Sequence, residues 1–287
     1  MKMKHSLKQL SLPALCGFAG WAFLCPLPSQ AAITNVSIVS FAFNPPAVTI
    51  NAGDTVKWTW NATQHSTTSD LGDAIMWDST TLVPLGGTFS VTFPSSGSYP
   101  YHCSLHSGPL FNMRGSVTVP NTPPTVTVTN PPDGTVLSAP ATITLAATAS
   151  DSGGSVTNVQ FFQGAASLGN VTSSPYSVVV SSLGAGDYTF SAVATDNGGL
   201  HATNAILVHV VTPVPIVLSA PQRLSASTFQ FSYSANLGLS YIVLRSGTLP
   251  TLSPISTNKA ATSTVNFLDN SATGAMNFYG VHLAPNP

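Results

Sequence analysis

Tyr99-Pro100-Tyr101-His102-Cys103-Ser104-Leu105-His106 leads through Ser107-Gly108-Pro109-Leu110-Phe111-Asn112 into Met113-Arg114-Gly115-Ser116-Val117-Thr118-Val119. The closing residues alternate apolar and polar in period two, the mark of a half-buried strand, and the Gly-Pro-Asn punctuation before them marks a turn. Cys103, His106 and Met113 therefore gather at one strand end with the spacing C-x2-H-x6-M. His102 is the strand neighbour of Cys103, so its side chain faces the opposite way and it is set aside as a ligand. Upstream, Gly53-Asp54-Thr55-Val56-Lys57-Trp58-Thr59-Trp60 is another alternating strand. It runs into Asn61-Ala62-Thr63-Gln64-His65, which places one more imidazole just past a strand terminus. In a β-sandwich, strand ends of this kind can meet at one pole.

The same alternation recurs outward along the chain, in Ala47 to Ile50 and Phe89 to Phe93, and no stretch after residue 31 repeats with a helical period. Gly, Pro and Asn punctuate the runs, so the expected fold class is all-β. Composition agrees: charged residues are only 6% of the 287 and the hydrophobic share is 43%. Ser, Thr, Asn, Gly and Pro carry the polarity, a mix that favours strands and turns. All nine acidic residues are Asp. The absence of Glu excludes a Glu-pair glycosidase, an HExxH zinc protease and an EF-hand closed by Glu.

Lys2, Lys4 and Lys8 precede an apolar run from Leu10 to Leu24, followed by Ser29-Gln30-Ala31. This reads as a secretory signal peptide over residues 1–31, cleaved after Ala31. A retained membrane anchor fits less well, because Pro13 and two glycines interrupt a run too short to span comfortably. Neither Cys16 nor Cys25 has the setting of a lipoprotein anchor. The expected location is periplasmic or secreted, in a bacterium, with no membrane span once the leader is gone. Removing three lysines takes the formal charge from −1 to −4, which argues against nucleic acid as a partner. The processed chain keeps Cys103 alone, so an internal disulfide is impossible. A lone thiol in an oxidising compartment is either buried and inert or held by something.

Two Pro-rich breaks, Pro120-Asn121-Thr122-Pro123-Pro124 and Thr212-Pro213-Val214-Pro215, divide the rest into segments 32–120, 121–212 and 213–287. In 121–212, strands are expected near 125–129, 142–149, 158–163, 176–180, 188–195 and 205–211, a spacing that suits an immunoglobulin-like sandwich without a disulfide. The phrases Asn158-Val159-Gln160-Phe161-Phe162, Pro175-Tyr176-Ser177-Val178 and Ala192-Val193-Ala194-Thr195-Asp196-Asn197-Gly198-Gly199 resemble the Ig-like domains of exported bacterial proteins. That resemblance implies a spacer or adhesion module without catalytic residues. Segment 213–287, with strands at 229–234, 241–245, 265–269 and 277–283, resembles small C-terminal β modules of exported bacterial proteins.

Thiolate and thioether are soft ligands and imidazole suits copper; two His and one Cys with a weak axial Met form the type 1 copper set. Phe41-x-Phe43-x-Pro45, Val48-x-Ile50, Gly53-Asp54-x-Val56-x-Trp58, His65 in a Ser/Thr-rich turn, Gly87-x-Phe89-x-x-x-Phe93 and Gly97-x-Tyr99-x-Tyr101-x-Cys103 follow the order of a known family. On these motifs segment 32–120 resembles the cupredoxins, the blue copper family with a Greek-key sandwich, and Met113-Arg114-Gly115-x-Val117-x-Val119 resembles the amicyanin ending. The resemblance implies one type 1 copper per chain, with His65, Cys103 and His106 as equatorial ligands and Met113 as the axial one. The chain departs from the family in one loop: six residues separate His106 from Met113, against two in amicyanin-like and four in plastocyanin-like chains. This puts the axial distance in question.

Singly, these residues have plainer explanations. Cys103 alone reads as a buried thiol, His106 as a surface residue and Met113 as core; their joint order points to the metal. His201, His209 and His282 have no partner at metal spacing and read as ordinary strand residues. Asp70, Asp73 and Asp78 read as solvated turn residues rather than a calcium loop, and the Asn61-Ala62-Thr63 sequon as unused in a bacterial chain. The expected function is an exported carrier of single electrons, not an enzyme, because four protein ligands leave no open position for a substrate. Leu105, Pro109, Leu110 and Phe111 would surround His106 with an apolar face for a redox protein partner, and backbone N–H groups near Ser66 or Thr67 would tune the sulfur. Copper binding or delivery without electron transfer is the first alternative. The second is an adhesion or carbohydrate-binding protein acting through cell-surface or polysaccharide contacts of 121–287.

Overall fold

The structure is a computed structural model describing residues 31–81, 83–274 and 276–287. Apart from Ala31, the expected signal peptide lies outside the described residues. Among them there is no helix, and hence none long and apolar enough to cross a membrane.

The first eight strands are Ile33–Val39 (β1), Ala42–Asn44 (β2), Ala47–Thr49 (β3), Thr55–Trp60 (β4), Thr68–Ser69 (β5), Thr88–Thr92 (β6), Gly97–His102 (β7) and Arg114–Val119 (β8). They form two four-stranded sheets, ordered β2-β1-β4-β6 and β3-β8-β7-β5. Most neighbours are antiparallel, but β1 pairs with β4 and β3 with β8 in parallel, because the chain crosses between the sheets. The alternation seen in the sequence sets what is buried. Val56, Trp58 and Trp60 on β4 and Tyr99, Tyr101 and Cys103 at β7 point inward, while Thr55, Lys57 and Thr59 are only half-buried. Each large apolar side chain withdrawn from water contributes about 1.5–3 kcal/mol, so the aromatic layer of Trp58, Trp60, Trp77, Phe93 and Tyr101 dominates this core.

Gly115 is forced by that layer. It sits opposite Tyr101 in the β7–β8 ladder, and a methyl group on it would lie 2.4 Å from the Tyr101 ring. The ring can therefore cross the strand only where there is no side chain.

The next strands are Thr125–Asn130 (β9), Thr135–Ser138 (β10), Ala141–Ser150 (β11), Val156–Gln163 (β12), Ala166–Val171 (β13), Tyr176–Leu183 (β14), Gly186–Asp196 (β15) and His201–Val211 (β16). They make sheets β10-β16-β15-β12-β13 and β14-β11-β9 around a core of their own. The last are Leu218–Arg223 (β17), Phe229–Ser234 (β18), Ser240–Ser246 (β19), Ser253–Lys259 (β20), Thr264–Asp269 (β21) and Phe278–Leu283 (β22). Their sheets, β17-β18-β21 and β20-β19-β22, enclose a third core.

Polar contacts join the three units. The Ser96 N–H donates to the Gly153 carbonyl at 2.7 Å, and at the start of the second unit the Asn121 amide donates to that unit's own buried Asp196 carboxylate at 2.9 Å. Farther along, the Asn286 side chain accepts from the Ser138 N–H at 2.9 Å and donates to its carbonyl at 2.9 Å, as a paired strand would. Ser96 immediately precedes β7, whose other end carries His102 and leads into Cys103. The attachment to the second unit is therefore at the pole opposite that cysteine, a strand length of about 20 Å away.

Candidate metal centre

Two loops converge at the free pole. The β4 strand delivers Asn61 to His65, with Gln64 in the left-handed region at φ 60°. The indole N–H of fully buried Trp60 donates to the His65 carbonyl at 2.8 Å and fixes where this loop ends. The end of β7 supplies Cys103, and the β7–β8 connection supplies His106 and Met113. Cys103 and His65 are buried, while the His106 ring is partly exposed.

The donor atoms face one another. His65 Nδ1 and His106 Nδ1 lie 3.1 Å apart, Cys103 Sγ is 3.8 Å from His65 Nδ1, and Cys103 Sγ is 3.4 Å from His106 Nδ1. A point equidistant from three atoms with these separations is about 2.0 Å from each, which is the length of a transition-metal bond to imidazole and slightly short for one to thiolate. One soft thiolate and two neutral imidazoles suit copper. His65 is poised to act as a neutral ligand: burial first, and the His106 ring second, lower its pKa below the usual imidazole value.

Met113 is fully buried beside this set and is held there by backbone bonds. Its carbonyl accepts from the Cys103 N–H at 3.1 Å, and its N–H donates to the His106 carbonyl at 2.9 Å. The six-residue spacer is taken up in a turn of its own, where the N–H groups of Phe111 and Asn112 both donate to the Gly108 carbonyl. The extra length projects outward and leaves the backbone of Met113 tied to both neighbouring candidate ligands.

Around the sulfur, the Ser66 N–H donates to Cys103 Sγ at 3.4 Å, the backbone bond expected near this position. The Ser66 hydroxyl accepts from the Ser104 N–H at 2.9 Å, so one serine ties both sides of the site together. Ser104 and Trp60 did not stand out in the sequence, since a serine in a turn and a tryptophan in a strand carry no signal of where a hydrogen bond will go. Phe41 is a third residue that sequence reasoning missed as part of the site: it packs edge-on against both imidazoles. Leu105, Leu110 and Phe111 are exposed beside His106, and Phe41 joins them.

The other histidines among the described residues are engaged elsewhere. His102 points away from Cys103 and meets Asp70 at 2.5 Å, and Arg114 reaches the same carboxylate. His201 meets the Thr195 hydroxyl, His209 meets Asp187 and His282 its neighbouring carbonyl, all on strands. Asp78 accepts from Thr68 and Thr80 in its turn.

Comparison with known proteins agrees with a copper-binding domain in the first unit and an Ig-like domain after it. A family model for copper binding proteins of the plastocyanin/azurin family matches residues 30–120, and one for a bacterial Ig domain matches 124–192. The chain is 33% identical over 130 residues to chloroplastic plastocyanin of Tetradesmus obliquus, covering 42% of this chain and 86% of that protein. It is also 33% identical to plastocyanin of Scenedesmus fuscus over 89 residues, 28% of this chain and 88% of that protein. Similar solved structures include amicyanin from Paracoccus versutus (28% identity, 33% of this chain, 86% of that chain, TM-score 0.27). Another is the set of fibronectin(III)-like CbhA modules of Clostridium thermocellum (27% identity, 32% of this chain, 100% of that chain, TM-score 0.30). The protein is thus a copper-binding β-sandwich of the electron-carrier kind followed by an Ig-like unit. The chain belongs to the plastocyanin/azurin family of copper-binding proteins.

Proposed function

We propose that this protein is an exported type 1 copper protein that carries single electrons between redox partners. One copper per chain is held by His65, Cys103 and His106, with Met113 as the weak axial ligand. The observation that carries this reading is the triangle of donors, whose separations of 3.1, 3.4 and 3.8 Å leave room for one ion. Copper bound there supplies the one-electron couple. The chain supplies rigidity: buried strands, the Trp60 bond to the His65 loop and the backbone ties of Met113 hold the donors in place before metal arrives. Little then rearranges when an electron comes or goes. The Ser66 N–H offsets charge on the sulfur and tunes the potential. Four protein ligands fill the coordination sphere, which suits a carrier rather than an enzyme.

The exposed rings and leucines beside His106 form an apolar face that suits docking of a redox protein. The Ig-like unit and the charged-then-apolar leader support export. The decisive experiment titrates the metal-free protein with Cu²⁺ while recording the visible spectrum and bound copper. One equivalent and an intense thiolate charge-transfer band are expected, and Cys103→Ser should lose the band while keeping its β-sheet circular dichroism. A colourless wild type, or a serine variant that stays blue, would overturn the assignment.

A further inference from the structure

The turn between β1 and β2 holds an aromatic residue in a conformation that aromatic residues avoid. Phe41 has φ of 57°, in the left-handed region that penalises a side chain. Phe41 is 46% exposed, so burial in the core does not hold it there. Its contacts lie in the metal centre. The Phe41 ring meets His106 edge-on at 5.0 Å and 89°, and His65 at 5.7 Å and 86°. Phe111 stacks on it at 4.5 Å and 12° and meets His106 at 5.3 Å and 84°. These are the offset-stacked and edge-to-face geometries that aromatic quadrupoles favour.

Phe111 belongs to the long stretch between His106 and Met113. The turn closed on the Gly108 carbonyl, with Asn112 at φ 47°, accompanies the return of its ring toward Phe41. The additional residues thus bring a second aromatic ring to a histidine whose own edge reaches solvent. For a metal ion to leave, an imidazole must swing away, and His106 is the exposed candidate. Phe41 and Phe111, stacked on each other, stand together against the His106 ring in the way of that swing.

Resting on the copper reading above, we propose that Phe41 and Phe111 form an aromatic clasp. It fixes the His65 and His106 rings in the metal-free protein and slows copper exchange through the exposed His106 edge. Both are positioning residues, acting through the two imidazoles. A clasp of this kind suits a protein that keeps its copper through many turnovers better than one that hands it on.

The test uses the full chain, copper-loaded, with excess EDTA removing Cu²⁺ while the visible band is followed. Phe41→Gly removes the ring and also relieves the strained φ, so the metal-free variant should melt no lower than wild type. Its copper loss should accelerate about tenfold, because the ring's edge-on packing against both imidazoles disappears at once. Phe111→Ala should accelerate loss about fivefold, and Phe41→Tyr should restore the rate to within about twofold of wild type. In metal-free protein, NMR of the His106 ring should show one orientation in wild type and averaging in Phe41→Gly. A blue wild type whose Phe41→Gly and Phe111→Ala variants lose copper at its own rate would overturn the clasp. A wild type that binds no copper overturns the copper reading instead, and the metal-free ring orientation then decides the clasp alone: one orientation retained in Phe41→Gly refutes it.

Discussion

Replacing Trp60 with Phe separates packing from ligand positioning when it is set against Trp58→Phe. Both indoles are fully buried on β4, so each variant loses a similar volume, at a cost of roughly 1–2 kcal/mol. Only Trp60 donates to the His65 carbonyl, at 2.8 Å. Its removal leaves a buried acceptor without a partner, which costs about 1–3 kcal/mol more. For a module of this size each kcal/mol moves the midpoint by about 4–8 °C, so metal-free Trp60→Phe should melt at least about 4 °C below Trp58→Phe. After residue 31 every tryptophan (Trp58, Trp60, Trp77) lies in the first unit, and tryptophan emission therefore reports that unit alone. Copper affinity, measured by competition with a chelator, should fall further in Trp60→Phe, because the loop carrying His65 is no longer fixed. Equal midpoints and equal affinities for the two variants would refute the positioning role of Trp60.

Met113→Leu should keep copper and raise the reduction potential, by on the order of 59 mV for each tenfold weakening of the Cu²⁺ state; voltammetry on the two forms measures it. An unchanged potential would remove Met113 from the ligand set. Gly115→Ala should destabilise the first unit by about 1–3 kcal/mol, since the added methyl would sit 2.4 Å from the Tyr101 ring; chemical denaturation followed by tryptophan emission reads it. In the third unit, burial alone would raise the pKa of Asp269, but the Ser271 N–H, the Tyr279 hydroxyl and Arg245 hold it below the usual carboxylate range. The folded state therefore binds fewer protons than the unfolded one, and this stability is complete above about pH 4 and lost as pH falls through the lowered pKa. Asp269→Asn should abolish that acid dependence and cost about 3 kcal/mol at neutral pH, measurable by hydrogen exchange in β18–β22.

The all-β class was legible because β4, β7 and β8 bury every second residue, and such alternation survives in the sequence. Several of the strands that escaped notice lack it. β17 is exposed along its whole length, β13 mixes small residues and glycine, and β20 is largely polar. The donors His65, Cys103 and His106 were legible because ligand chemistry restricts which residue types can serve. What lay hidden was the support. Ser66 to Ser104, Trp60 to the His65 carbonyl and Phe41 to both imidazoles span 5 to 65 positions in sequence, and residues of those types occur in many loops without such a role. The long His106–Met113 spacer raised a question about the axial position that local geometry answers at the backbone: the added residues close on Gly108 and leave the ties to Met113 intact.

The junction at Ser96 and Gly153 attaches the second unit at the end of the first that lies away from the metal pole. Within that pole, the hydrogen bonds of His65, Ser66, Cys103 and Met113 are all made to residues of the first unit. The chain is thus divided like an electrode and its mount. Residues 32–120 should keep their colour and potential when grafted onto a different carrier, and the mount is free to diverge in length, stiffness and surface chemistry without retuning the couple at the tip.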